Sequence, residues 1–111
     1  MAISLAQAQA RDVSVDHRDV LKFMKEGLAE LARAAQAQRF ESPILWRVVD
    51  GDGDTLREFN VHANGRVEML FDAGTSKLYV FPLVATVRDA RGRSARIKLR
   101  AESASAVEFF N

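Results

Sequence analysis

The hydrophobic period of the chain changes once, at Pro43, and that change constrains the fold more than any other feature. Before it, Leu21, Met24, Leu28, Leu31 and Ala35 recur at steps of three and four, on one stripe of an α-helix, with Lys22, Lys25, Glu26, Arg33 and Gln36 off the stripe. After it the period is two. Ile44, Trp46 and Val48 alternate with Leu45, Arg47 and Val49; Phe59 and Val61 alternate with Glu58, Asn60 and His62; Val67, Met69 and Phe71 alternate with Arg66, Glu68 and Asp72. Such alternation marks strands with one face against a core. The pattern predicts an α+β fold in which one long N-terminal helix packs on an antiparallel meander of about five to six strands.

Local signals set the boundaries. Asp16 fits an N-cap, with Asp19 three positions on and both charges near the positive end of the helix dipole. Pro43 disfavours helical geometry at Ser42, and Arg33 and Arg39 sit toward the end that favours cations. The helix is therefore expected over 17–38, preceded by an arm or short helix in 1–15. Asp50-Gly51-Asp52-Gly53 and Asn64-Gly65 are turn sequences that tolerate positive φ. A long apolar strand is expected from Leu78 to Val87, a turn over Asp89–Gly92, its partner strand from Arg93 to Ala101, and a last short strand from Ala106 to Phe110. The sheet would thus fill 43–110. Pro82 lies inside the long strand and cannot donate to a ladder, which implies a bulge or an edge there. No internal repeat, linker or second domain is evident, so 1–111 reads as a single domain.

The long strand is apolar at odd and even positions alike, so both faces of the sheet are expected to be dry there. One helix covers one face only. Closure of the other requires curling of the sheet, the N-terminal arm or another chain, and a homodimer is one expected solution. Trp46 shares its face with Ile44 and Val48 and reads as a core residue.

At 111 residues the chain buries roughly two-thirds of the surface its unfolded form exposes, enough to fold without a staple. Cysteine is absent, which excludes disulfides, thiolate metal ligands and a cysteine nucleophile, and suits a reducing compartment. The opening segment lacks a basic region followed by a continuous apolar run, and no stretch has the apolar length of a membrane span. A cytoplasmic location without membrane contact is expected.

Catalytic signatures are missing. No Gly-x-Ser-x-Gly, Gly-x-x-x-x-Gly-Lys or Gly-x-Gly-x-x-Gly run occurs, and His17 and His62 stand in no ligand spacing. Glu58 and Glu68, which the Asn64-Gly65 hairpin brings near each other, read as surface charges, as does His62 beside Glu68 or Asp72. Asp50, Asp52 and Asp54 have the spacing of the first calcium-loop ligands, but the sixth and twelfth positions are Thr55 and Val61 instead of glycine and glutamate. An acidic hairpin turn is expected there, with no metal or cofactor and no enzymatic activity.

What remains is charge. The stretch from Arg88 to Arg100 holds six of the sixteen basic residues against one acid, Asp89, leaving ten basic and fourteen acidic residues elsewhere. A chain of net charge +1 is therefore strongly polarised. Alternation puts Arg96, Lys98 and Arg100 on one face of a strand and Ile97 and Leu99 on the other, with Arg88, Arg91 and Arg93 at or beside the turn; cations two residues apart on a strand stand about 7 Å from each other. The expected partner-binding residues are Arg88, Arg91, Arg93, Arg96, Lys98 and Arg100. The expected function is a non-catalytic protein-binding module, of the kind of a small bacterial or phage regulator, inhibitor or assembly component, contacting an acidic protein surface through this basic hairpin. The alternative is a nucleic-acid-binding module that lays the same hairpin on phosphates. That alternative has against it the low net charge and the absence of interleaved aromatics.

Overall fold

The computed structural model describes residues 17–74, 80–100 and 104–110, with side chains from residue 25 onward. A helix, α1 (His17–Ala37), is followed by six strands: β1 (Ile44–Val49), β2 (Thr55–Val61), β3 (Val67–Asp72), β4 (Leu83–Arg88), β5 (Ser94–Leu99) and β6 (Glu108–Phe110). They form one antiparallel sheet in the order β3-β2-β1-β4-β5-β6. One helix on an antiparallel sheet is the α+β class. The expected helix span agrees to one residue; Asp16 and the segment 1–15 lie outside the described residues.

The simple meander is not formed. β4 pairs with β1 instead of β3. Connection length explains the difference: the turns at 50–54, 62–66 and 89–93 are too short for anything but hairpins, whereas the stretch from Ala73 to Pro82 is long enough to bring the chain back past β2 and β1. The apolar strands β1 and β4 thereby become the two central ones. Leu83, Ala85 and Val87 of β4 are completely buried, as are Val48 of β1 and Ala95, Ile97 and Leu99 of β5. The strand expected from Leu78 begins at Leu83, so Pro82 stands just ahead of the ladder and removes no hydrogen bond from it; Leu78 and Tyr79 fall outside the described residues.

A repeat invisible in the residue pattern is present in the topology. Pro43 and Pro82 each stand one residue before a six-residue strand, Asp50 and Asp89 each follow it, and Gly53 and Gly92 each adopt φ 86°, every pair thirty-nine residues apart. In both turns the amide of the aspartate donates to the carbonyl four residues on, and the glycine amide donates back to the aspartate carbonyl. This is the three-residue hairpin loop whose last residue must be left-handed, hence glycine. The central rung, Arg47 opposite Thr86, lies on a pseudo-two-fold axis that carries β1-β2-β3 onto β4-β5-β6.

The helix breaks this symmetry, because α1 packs on β5 and β4 only. Gly27 permits the approach: a Cβ at that position would overlap the Leu99 side chain. Leu31 and Ala35 follow on the same stripe and are buried. Since Leu99 sits between helix and sheet with no exposed surface, Leu99→Ala is expected to lower stability by about 2 to 5 kcal/mol. Met69→Ala on the edge strand, where the side chain is half exposed, is expected to cost less than about 1 kcal/mol. Urea unfolding of both variants at equal m checks this.

Candidate functional site

The β4–β5 hairpin is built around one carboxylate. Asp89 Oδ1 accepts from the amides of Arg91 (3.0 Å) and Arg93 (2.9 Å), while Oδ2 accepts from the Glu41 amide (3.0 Å) and Arg93 Nε (3.0 Å). Its side chain is fully buried. Burial alone would raise its pKa, but the hydrogen bonds from the Glu41 amide, the Arg93 guanidinium and the Arg93 and Arg91 amides outweigh burial and hold the carboxyl below its usual range. Arg93 then reaches from the hairpin to the end of the helix: it donates to the carbonyls of Gln38 (3.1 Å) and Arg39 (2.7 Å), and its guanidinium lies 5.1 Å over the Phe40 ring. Both carbonyls belong to the turn that follows the last residue of α1.

The six expected contact residues therefore divide. Arg93 is engaged within the fold, and Arg91 forms an exposed 3.6 Å pair with Glu41. Arg96 stands between Thr86 and Glu108, 3.5 Å from the Glu108 carboxylate, with its guanidinium 4.7 Å over the Phe110 ring. Arg88, Lys98 and Arg100 make no ion pair among the described residues. On β5 the alternation is as expected: Ala95, Ile97 and Leu99 are buried against the helix, and Ser94, Arg96 and Lys98 face the other way.

That other face, which no helix among the described residues covers, carries Leu45, Arg47 and Val49 from β1, Val84, Thr86 and Arg88 from β4, and the β5 cations. Val84 and Thr86 are half-buried, and their cross-strand neighbours include Lys98, Arg96 and Arg47. The outer face of β4 is thus polar at its centre, with Val84 toward one end, and less dry than the residue pattern implied. Arg47 is paired at 2.6 Å with Glu58, directly across on β2. Glu58 and Glu68 consequently stand on different rungs, and Glu68 instead accepts from His62 at 3.0 Å. That hydrogen bond, aided by Arg66, holds the Glu68 carboxyl below its usual range despite partial desolvation.

The unexpected surface is on the helix side. Where α1 covers β4 and β5, the pseudo-symmetric half of the sheet is open, and a groove of about 560 Å³ runs between Leu28 and Ala32 of the helix and Ile44, Trp46, Phe59 and Val61 of the sheet. Trp46 is a core residue, yet it forms the groove floor with Phe59, the rings stacked 5.7 Å apart at 6°. Cross-strand pairing extends the floor to Met69 and Val67, which are about half exposed. Each strand shows this alternation in sequence, but which half the helix leaves open depends on the Asp89 and Arg93 contacts.

Oxygens of Asp50, Asp52 and Asp54 lie within 4.8 Å of one another. Asp50 Oδ1 already accepts from the amides of Asp52 and Asp54, both at 3.0 Å, so the cluster is organised as a turn. No helix among the described residues is long and apolar enough to cross a membrane. No protein-family model, curated protein or solved structure matches the chain.

Two outcomes are expected. Millimolar calcium leaves the melting temperature unchanged, since a ligand bound only by the folded state would raise it. For Asp89, a folded-state pKa below the unfolded value of about 3.9 means that its contribution is present above that pH and is lost as pH falls through the folded-state value. Asp89→Asn should therefore melt below the wild type at pH 7, with the gap narrowing below about pH 4. Calorimetric melts from pH 7 to 2 test the sign.

Proposed function

We propose that the chain is a non-catalytic protein-binding module, a small regulator, inhibitor or assembly component, that presents the outer face of its sheet to an acidic protein surface. One observation carries this reading: once the internal pairs are assigned, Arg88, Lys98 and Arg100 still have no counter-charge among the described residues, and Arg88 and Lys98 lie on the uncovered face of β4 and β5. Cations left this way enter a complex without first breaking an ion pair, and they supply charge complementarity and orientation to it. Arg96 adds charge from a fixed position between them, while Arg91 and Arg93 hold the hairpin that presents the set. A homo-oligomer would draw on the helix-side groove, where the apolar surface is concentrated.

The nucleic-acid alternative gains one observation: Phe110, 40% exposed, lies on the same face as Arg96 and opposite Ser94. A stacked aromatic beside cations is what single-stranded nucleic acid requires. Salt separates the two readings, because phosphate contacts lose affinity at roughly 0.9 log units per neutralised phosphate per log unit of salt, and a packed protein interface depends on salt far less.

Replacing Arg88, Lys98 and Arg100 together by glutamate is expected to abolish capture of the partner from a nuclease-treated lysate of the source cells, with the far-ultraviolet spectrum unchanged and the melting temperature within a few degrees of wild type, because none of the three holds an ion pair among the described residues. Capture undiminished by the triple change would place the contact on another surface. Capture that is lost on nuclease treatment would favour nucleic acid.

A further inference from the structure

The outer face contains a hollow of about 270 Å³, lined by Leu45, Arg47, Thr86, Arg88 and Ser94. The register explains why these residues converge. Arg47, Thr86 and Arg96 form one rung across β1, β4 and β5, and Leu45, Arg88 and Ser94 form the rung two residues along. Two guanidinium groups, of Arg47 and Arg88, therefore line the hollow with the Thr86 and Ser94 hydroxyls, and Arg96 continues the first rung beside it. Several donors here have no acceptor. The Thr86 and Ser94 hydroxyls make no hydrogen bond and Arg88 makes no ion pair among the described residues, whereas Arg96 Nε already stands 3.5 Å from the Glu108 carboxylate.

Charge bookkeeping defines what fits. Arg47 is compensated by Glu58 and Arg96 by Glu108, so the cluster keeps one uncompensated positive charge, that of Arg88. A monoanion brings it to neutrality, whereas a dianion overshoots. The geometry points to a pocket that anchors one carboxylate side chain of an acidic protein segment, with Arg88 supplying the ion pair, the Thr86 and Ser94 hydroxyls donating hydrogen bonds, and Leu45 receiving the methylenes. A planar carboxylate matches the guanidinium fork, and donors without partners gain from meeting an acceptor. Leu45 favours a side chain with methylenes over a phosphodiester. The inference rests on the proposed binding of an acidic partner and narrows it to a single anchoring group.

The test is a nuclear magnetic resonance titration of the full chain with a blocked Gly-Glu-Gly peptide, its Gly-Gln-Gly counterpart, and dimethyl phosphate. The glutamate peptide is expected to bind in the millimolar range, with amide shifts confined to Leu45, Thr86, Arg88 and Ser94, and to bind at least tenfold more weakly to Arg88→Gln and several-fold more weakly to Thr86→Val. Arg66→Gln, a cation on the β2–β3 turn outside the hollow, should bind as wild type does. Absence of localised shifts, equal loss in Arg66→Gln and Arg88→Gln, equal binding of the glutamine peptide, or a preference for dimethyl phosphate would each overturn the assignment. Partner capture distinguishes the two levels. If the glutamate triple variant loses its partner while the wild-type hollow binds no carboxylate, the acidic-partner reading stands and the pocket falls. If the hollow binds carboxylate while the triple variant, which lacks Arg88, captures its partner normally, the partner does not use the hollow, and the anchoring role falls with the reading.

Discussion

The position of the helix depends on the Asp89 carboxylate and the arginine it holds. A buried carboxylate is costly unless its lone pairs are occupied. Asp89 meets that condition with donors from two directions, the amides of its own turn and the Glu41 amide that follows the helix. The turn and the helix end are thereby fixed to the same group. Arg93 repeats the tie with its own donors to Gln38 and Arg39, and the Ala90 amide adds a third to the Glu41 carbonyl. With its end held beside the β4–β5 turn, the helix must run over β4 and β5, and Gly27 lets it settle against Leu99. The open groove over β1 and β2 follows from this asymmetry.

The same tie divides the basic residues into two kinds. Exposed ion pairs such as Arg91 with Glu41 or Arg33 with Glu30 contribute little, roughly 0 to 1 kcal/mol, and leave their cations accessible. Arg93 has its guanidinium shared among a carboxylate, two carbonyls and an aromatic face, so its replacement would disturb the fold before it disturbed any contact. Charge counted along the sequence treats both as equivalent. Only the cations that finish folding without a counter-charge change the potential that an approaching molecule meets.

Much of the secondary structure was legible. The stripe from Leu21 to Ala35 marked the helix, the alternation at Ile44–Val48 and Arg96–Leu99 marked strands and their buried faces, and the Gly53 and Gly65 turns marked hairpins. These features were readable because periodicity and positive φ are local. Pairing of β1 with β4 was not, since it depends on a ten-residue connection whose length permits more than one neighbour. The repeat was hidden for a related reason: Asp50-Gly51-Asp52-Gly53-Asp54 and Asp89-Ala90-Arg91-Gly92-Arg93 share only the aspartate that accepts and the glycine that turns, while Asp52 and Asp54 in one are replaced by Arg91 and Arg93 in the other. The hollow near Thr86 was illegible because Arg47, Arg88 and Ser94 come from three strands. Their convergence is a property of register.

Opposite charge at equivalent turns has a directional consequence. Because β1 and β4 are antiparallel, the turn at Asp50–Asp54 and the turn at Asp89–Arg93 lie at opposite ends of the sheet. Asp52 and Asp54 are exposed at one end, Arg91 at the other, with Arg88 on the adjoining outer face. The screening length at physiological salt is about 8 Å, and a six-residue strand spans about 20 Å, so each end acts on its own surroundings. An acidic segment crossing the outer face is repelled near the Asp52 end and attracted near the Arg88 end. Lys98 and Arg100 offset part of that repulsion, since β5 runs back toward the acidic turn. For the acidic partner proposed above, this charge arrangement would favour one of the two directions across the sheet, the one that brings the most negative part over Arg88.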